Sequence, residues 1–373
     1  MDALQPYEDR VSRVWVAGMI RLGDVVHGRN NNFHLLRLFA ALAVLFSHSY
    51  PLTTGKRESE PLRLWLGCTP GSIAVDLFFL VSGLLVTVSL IKRNSVVDFV
   101  RARFFRIWPA LTVALLLTVF ALGPWFTTYR LHDYYAARGT WRYLLQNLVI
   151  LRGIDVHLPG VFLSLPWPDA VNGSLWSLPI EVSCYLYLLG SWIVLHRFAT
   201  EARLRVLVGC AWVLLLSWHL HGLTQSSLEE SPGRLYFMFC TGVALYLFRD
   251  RVILSSRWFA AVLVVLALST INALSFGVVY SLALPYAMVS LAFLPKGQIL
   301  EFNRLGDYSY GTYIYAYPIQ QSLLAAVPLI GVAGLFVSSS VITLCLAIAS
   351  WHFVEKPALR LARRSGARLT SAA

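Results

Sequence analysis

Charge is what this sequence has least of. Asp, Glu, Lys and Arg make up 13% of its 373 residues, about half the share of an ordinary water-soluble domain. That scarcity excludes a soluble globular protein, and the length leaves no room for several soluble domains beside a large bundle. Acidic side chains are the scarcest, 19 against 31 Lys and Arg, for a net charge of +12. Such a surplus would ordinarily point to nucleic acid. Here the basic residues fall in short segments between apolar runs, as in cytoplasmic loops of membrane proteins, so no nucleic-acid partner is expected. Cysteine is sparse too. Of the five, Cys184, Cys210, Cys240 and Cys345 lie in apolar runs and Cys68 in a connecting segment. None has the spacing of a metal site or a disulfide framework, so no metal is expected and the thiols are small apolar filler. Internal repeats and low-complexity tracts are missing. So are a Gly-x-Ser-x-Gly elbow and a Gly-x-x-x-x-Gly-Lys loop, which removes two common chemistries. A cleavable leader is not expected, because about thirty mixed residues precede the first apolar run. That run should persist as a membrane anchor.

Apolar residues are abundant, at 57% with a mean hydropathy of +0.63. They gather in ten runs near residues 33–50, 73–91, 108–126, 176–195, 206–221, 235–248, 258–273, 278–294, 310–328 and 334–354. Each is near the length that crosses a bilayer. With both ends inside, 23 of the 31 Lys and Arg fall in inner segments and 8 in outer ones, the bias that orients membrane proteins. The expected fold is therefore all-α: a polytopic membrane protein of about ten transmembrane helices with both termini cytoplasmic. Residues 1–31 form a cytoplasmic segment whose stretch 11–22 is either a basic surface helix or disordered. Residues 32–355 form the membrane domain, and 356–373 a basic cytoplasmic tail. The long outer connection, 127–174, holds Tyr129, Tyr134, Tyr135, Trp141, Tyr143 and Trp167. Its stretch 141–151 patterns as an interfacial helix, and its aromatic side chains suit an interfacial belt or sugar rings.

Two basic side chains interrupt the first run, Arg37 and His48. Eleven positions at 100° each bring them to one helical face, roughly 16 Å apart along the axis. Ionisable groups in a hydrophobic span are costly, and two aligned ones suggest a polar track through the bundle. Snorkelling of the arginine and capping by the histidine is the alternative. Topology places Arg37 toward the inner face and His48 toward the outer, with Asp76 and Glu181 also in the outer half. His48, Asp76 and Glu181 are then expected in one layer, as a base with an orienting carboxylate or as a structural ion pair between helices. Arg101, Arg103 and Arg106 precede the third run and, with Arg37, form either a clamp for a cytoplasmic polyanion or ordinary positive-inside topology. An anionic head on inner arginines with a narrow arm reaching a histidine is the shape of acyl-coenzyme A. His48 would act as general base on a hydroxyl or as nucleophile. A transporter lined by the same polar track is the rival reading.

The motifs carry a family resemblance. Arg37 and His48, Phe78-Phe79-x-x-Ser82-Gly83, Arg101-x-Arg103-x-x-Arg106 with Pro109, Trp176-Ser177-Leu178-x-x-Glu181, Tyr310-Gly311-x-Tyr313 and Glu355-x-Pro357 occur in order over almost the whole chain. Together they resemble the acyltransferase-3 family of integral membrane acyltransferases. The resemblance implies O-acylation, most often O-acetylation, of glycans outside the cytoplasm, in the bacterial inner membrane. Acetyl-coenzyme A or another acyl-coenzyme A is the implied cosubstrate, with no resident cofactor. A polysaccharide or glycolipid is the implied acceptor, a small hydroxylated metabolite such as a macrolide the alternative. Membrane lipid and a polysaccharide assembly system are the other partners it suggests. It implies that His48 is catalytic and Arg37 its partner in donor binding or catalysis. Asp76 and Glu181 are expected beside them as supporting carboxylates, with donor binding expected at Arg37, Ser82, Arg101, Arg103 and Arg106 and acceptor contact at Trp176. The sequence departs from the pattern before the proline of the ninth run. Ala316 and Tyr317 stand where many members have a histidine.

Overall fold

The computed structural model describes residues 19–28, 30–195 and 200–362. Most of the expected surface helix at 11–22, Arg29, Arg197 and the last part of the basic tail lie outside the described residues. Each of the ten apolar runs coincides with a helix. Phe33–Thr54 is α1, Pro70–Arg93 is α2, Val96–Phe126 is α3, and Arg138–Val149, in the long connection, is α4. Gly173–Leu195 is α5, Glu201–Leu223 is α6, Arg234–Leu247 is α7, Ser256–Ile271 is α8 and Ala273–Phe293 is α9. Ser309–Ala326 is α10 and Val332–Ala362 is α11. Seven of these are long and apolar enough to cross a membrane, so the chain is a multi-pass membrane protein in form. A small departure from the all-α expectation is a two-stranded antiparallel pair. Met19–Arg21 (β1) lies against Ile253–Ser255 (β2), with Met19 opposite Ser255.

Local signals explain where helices start and stop. Pro70 opens α2, and Thr69 and Ser72 exchange hydrogen bonds of 3.0 and 2.8 Å in a capping box. This satisfies amides that lipid cannot. Lys92 and Arg93 occupy its last turn and Asn94 ends it in the left-handed region, as the helix dipole and C-capping favour. The short break expected between α8 and α9 is a single extended residue, Asn272, whose side chain accepts from the Ser275 amide at 2.9 Å.

The bundle is organised around α2, which packs against α1 on one side and α7 on the other. The α2–α7 crossing depends on two glycines facing each other. A Cβ on Gly83 would stand 2.1 Å from the Phe239 carbonyl oxygen, and one on Gly242 would stand 2.2 Å from that of Leu80. Small residues at such a crossing let backbones approach closely, the main source of helix adhesion in lipid.

Helix α10 is different in kind. It has 18 residues but is not apolar enough to qualify as a span by composition. Tyr310, Tyr313, Tyr315, Tyr317, Gln320 and Gln321 are all buried. A helix enclosed by other helices can carry polar groups provided each finds a partner. Gln320 donates to the Leu45 carbonyl (2.9 Å) and Ser49 Oγ (2.8 Å), and Gln321 to the carbonyls of Trp167 (2.9 Å) and Ala170 (2.8 Å). These bonds fasten α10 to α1 and draw the long connection over it.

The long connection is less of an aromatic belt than its composition suggests. Its helix α4 lies close to the expected stretch 141–151, but Tyr134 and Tyr143 are fully buried. Tyr134 donates to the Val119 carbonyl at 3.0 Å. Trp167 is the member of the group that faces a cavity.

Replacing Gly83 with Leu should drive α2 from α7, because the obstruction is main chain and cannot rotate away. Overpacking of this kind costs about 1–3 kcal/mol or more. The expected outcome is a lower apparent Tm and a smaller monodisperse fraction in detergent, measured against Gly209→Leu, where a Cβ would meet nothing within 4 Å.

Candidate active site

Both signature residues of the first run sit on α1, and each reaches a separate cavity. Arg37 lines one of about 90 Å³ and His48 one of about 380 Å³. The two cavities have Val75 and Tyr313 in common on their walls. These two side chains stand between the guanidinium cavity and the imidazole cavity.

At the arginine end, a carboxylate organises the cations. Asp307, in the turn before α10, forms ion pairs with Arg37 and with Arg106, the latter at 2.6 Å. Ser309 Oγ donates to its other oxygen at 2.5 Å. Burial alone would raise the Asp307 carboxyl. Arg106 and Arg37 more than reverse this and hold it well below the usual carboxylate range. Arg106 also reaches Glu355 at 3.5 Å, a buried residue carried on a wide π turn of α11, and stands over the ring of Tyr310. Arg37 lies over the ring of Phe78. Arg103 lines the same cavity with its guanidinium over the ring of Tyr185. The walls thus present three guanidiniums, held by aromatic faces and one shared acid.

Ser82 and Glu181 also face the arginine cavity. Ser82 Oγ donates to Glu181 at 3.2 Å and shares a 2.7 Å hydrogen bond with the Tyr185 hydroxyl, which also donates to Glu181. Arg101 takes a different course. It pairs with Asp98 one turn earlier and is not on the cavity wall, so of the four arginines only Arg37, Arg103 and Arg106 come together there.

At the other end, the His48 ring meets the edge of Tyr317 with centroids 5.3 Å apart. Tyr317 in turn packs where Gly173 leaves room, since a Cβ there would lie 2.8 Å from the tyrosine ring. Nδ1 of His48 is buried without a hydrogen-bond partner. The layer expected from sequence, His48 with Asp76 and Glu181, does not form. Asp76 is buried against Arg234 (2.8 Å) and accepts from the Tyr280 hydroxyl (2.8 Å); it is not on either cavity wall itself, but Arg234 lines the His48 cavity. Glu181 belongs to the arginine cavity. Two carboxylates that topology puts at similar depth point to different neighbours, because helix rotation and not depth decides what a side chain meets. Asp76 and Arg234 form a buried ion pair between α2 and α7.

The wall around His48 is polar and aromatic. Trp167 and Trp176 line it, the second 41% exposed, together with Arg57, Glu60, Arg63 and Glu229. Arg57 lies over the Trp167 ring at 5.8 Å. Arg63 bridges Glu60 (3.1 Å) and Glu229 (2.9 Å), and Ser47 Oγ donates to Glu60 at 2.5 Å. Burial pushes the Glu60 carboxyl up against the hydrogen bond of Ser47 and the charge of Arg63. Glu60, Tyr317 and Asp307 escaped the sequence reading. The first and last lie in connections without periodic pattern. The Ala316-Tyr317 departure was visible, but nothing in it told that the tyrosine would face His48.

The arrangement can bind an anion at one end and hold a hydroxylated, ring-bearing molecule against an imidazole at the other. Comparison with known proteins agrees with such chemistry. The chain is 29% identical over 356 residues to the O-acetyl transferase of Shigella phage Sf6, covering 92% of this chain and 99% of that protein. It is 29% identical over 372 residues to nodulation protein 10 of Rhizobium leguminosarum bv. viciae, covering 93% and 98%. A third similarity, 29% over 182 residues, is to the acyltransferase MdmB of Streptomyces mycarofaciens, covering 47% and 41%. No solved structure matches the chain. The family described as an acyltransferase domain matches residues 30–352, nearly the whole helical bundle and both cavities. The protein belongs to the acyltransferase-3 family and is an acyltransferase.

Proposed function

We propose that the protein moves an acetyl or other short acyl group from acyl-coenzyme A to a hydroxyl of an extracytoplasmic polysaccharide or glycolipid. It does so from the bacterial inner membrane, with both termini cytoplasmic. The arginine cavity faces the cytoplasm, and the Trp167 and Trp176 wall faces outward. The observation that carries the reading is the pair of cavities meeting beside α1, one lined by guanidiniums and one by His48. Arg37, Arg103 and Arg106 bind the phosphorylated nucleotide of the donor by charge-assisted hydrogen bonds. Ser82 and Glu181 border the path of its pantetheine arm. The acceptor sugar stacks on Trp167 and Trp176, as apolar sugar faces do on aromatic rings. Its other hydroxyls meet Glu60 and Arg63.

The reaction in this reading is a direct transfer. His48 takes the proton of the acceptor hydroxyl as its oxygen bonds to the thioester carbon. The carbon–sulfur bond then breaks, and the proton passes from His48 to the departing thiolate. Donor and acceptor approach from opposite cavities, so the reacting atoms meet in a space from which bulk water is largely excluded.

Two substitutions test this reading. His48→Ala should lower acyl transfer by about 10²–10⁴-fold while leaving thermal stability near that of the wild type, measured by transfer of labelled acetyl from acetyl-coenzyme A to surface glycan. Retained turnover would rule out the base. Arg37→Ala should raise the KM for donor by about 10–100-fold, the loss of one or two hydrogen bonds to a charged group. The KM for acceptor should stay unchanged. Acetyl ester content of cell-surface glycans, with and without the protein, decides between a glycan and a small metabolite as acceptor.

A further inference from the structure

Helix α10 presents Tyr310, Tyr313 and Tyr317 at spacings of three and four, so they share one face. Their surroundings differ. Tyr310 lies under Arg106 and donates to the Ile107 carbonyl at 2.9 Å. Tyr317 lies against His48. Tyr313 stands between them and borders both cavities. Val75, the other residue common to both, has no polar side-chain atom. Of the two residues common to both cavities, Tyr313 is therefore the one that carries a polar group, a hydroxyl. It is 2.8 Å from Ser177 Oγ, and its ring meets that of Phe78 edge-on at 5.7 Å. Phe78 is itself the ring beneath Arg37.

Resting on the acyl-transfer reading above, we propose that Tyr313 is a further catalytic residue, whose hydroxyl donates to the carbonyl oxygen of the acyl thioester. A thioester delivered from the arginine cavity to His48 must cross the wall where this hydroxyl stands. Attack by the acceptor oxygen turns the carbonyl into a tetrahedral centre with negative charge on oxygen. A fixed donor aimed at that oxygen is worth more where water is excluded than in bulk solution. Either hydroxyl can donate in the Ser177–Tyr313 hydrogen bond; when Ser177 Oγ donates to the phenolic oxygen, the phenolic proton is free for the acyl oxygen. Collapse of the intermediate restores the carbonyl, now an ester, and expels the thiolate, which takes the proton held by His48. Tyr313 keeps its own proton throughout.

Tyr313→Phe removes one oxygen and keeps the ring between the cavities. In the purified full-length protein, with acetyl-coenzyme A and a glycan acceptor, kcat should fall by about 10²–10³-fold, the loss seen when one oxyanion donor is removed. Both KM values should stay within about twofold. Ser177→Ala leaves the Tyr313 hydroxyl in place and should lower kcat by only about five- to tenfold, the worth of one neutral hydrogen bond. Equal losses in both variants would mean that the Ser177–Tyr313 bond is a structural fastening, and would overturn the proposal. So would a Tyr313→Phe enzyme within about threefold of wild type. If the wild type transfers acetyl and His48→Ala does not, such a result removes Tyr313 alone. If the wild type transfers no acyl group from acyl-coenzyme A to any hydroxyl, the functional reading and the role of Tyr313 fall together.

Discussion

The site depends on one acid shared by two arginines. Asp307 lies between Arg37 of α1 and Arg106 of α3, so a helix from the start of the bundle and one from its middle are tied at the turn that begins α10. Guanidiniums facing the interior of a membrane bundle are tolerable only when an opposite charge lies close. Removing one partner of such a pair typically costs about 3–5 kcal/mol. The same acid holds the two cations along the cavity wall in a fixed geometry, which is what an anionic substrate requires. The pair is therefore a structural tie that also fixes two guanidiniums on the cavity wall.

A second buried pair, Arg234 with Asp76, obeys the same rule at another place. It joins α7 to α2 about two turns from the glycine crossing. Tyr280 of α9 completes it through its hydroxyl. This pair lets α2 stand rigidly in the middle of the bundle, with Val75 at the junction of the cavities and Ser82 in the arginine cavity. Helix α10 forms the opposite wall. Its glutamines hold it to α1 and to the long connection, which bears Trp167. Of its polar residues, Tyr310, Tyr313 and Tyr317 line the cavities, and Gln320 and Gln321 fasten the helix in place.

Much was legible from the chain alone. Ten helices followed from apolar runs near bilayer length, and a helix stands at each run, seven of them long and apolar enough to cross a membrane. The pairing of Arg37 with His48 on one face followed from the helical period, and the two do line adjoining cavities. Arg103 and Arg106, three apart, share a wall as their spacing allows. Arg101 does not, because Asp98 lies one turn before it and captures its charge. Asp76 and Glu181 were expected in one layer with His48, but they belong to different networks, Asp76 with Arg234 and Tyr280 and Glu181 with Ser82 and Tyr185. Depth in a membrane follows from topology, whereas the partner of a side chain follows from rotation about the helix axis. A strongly apolar helix carries almost no signal about that rotation. The burial of Tyr134 and Tyr143 was invisible for a similar reason, since an aromatic residue in a connection suits a belt, a sugar site or a core equally.

The sequence by itself determined that this chain is a membrane bundle with an acyltransferase signature, because hydrophobic run length and ordered motifs are properties of local order. Only the tertiary structure decided that Asp307 joins the arginines, that Tyr317 meets His48, and that Val75 and Tyr313 divide one cavity from the other. Those contacts link residues tens to hundreds of positions apart. Their existence depends on which faces of the helices turn toward one another, and that is settled by packing: glycines that admit a neighbouring backbone, and buried charges that accept no position but the one beside their counter-ion.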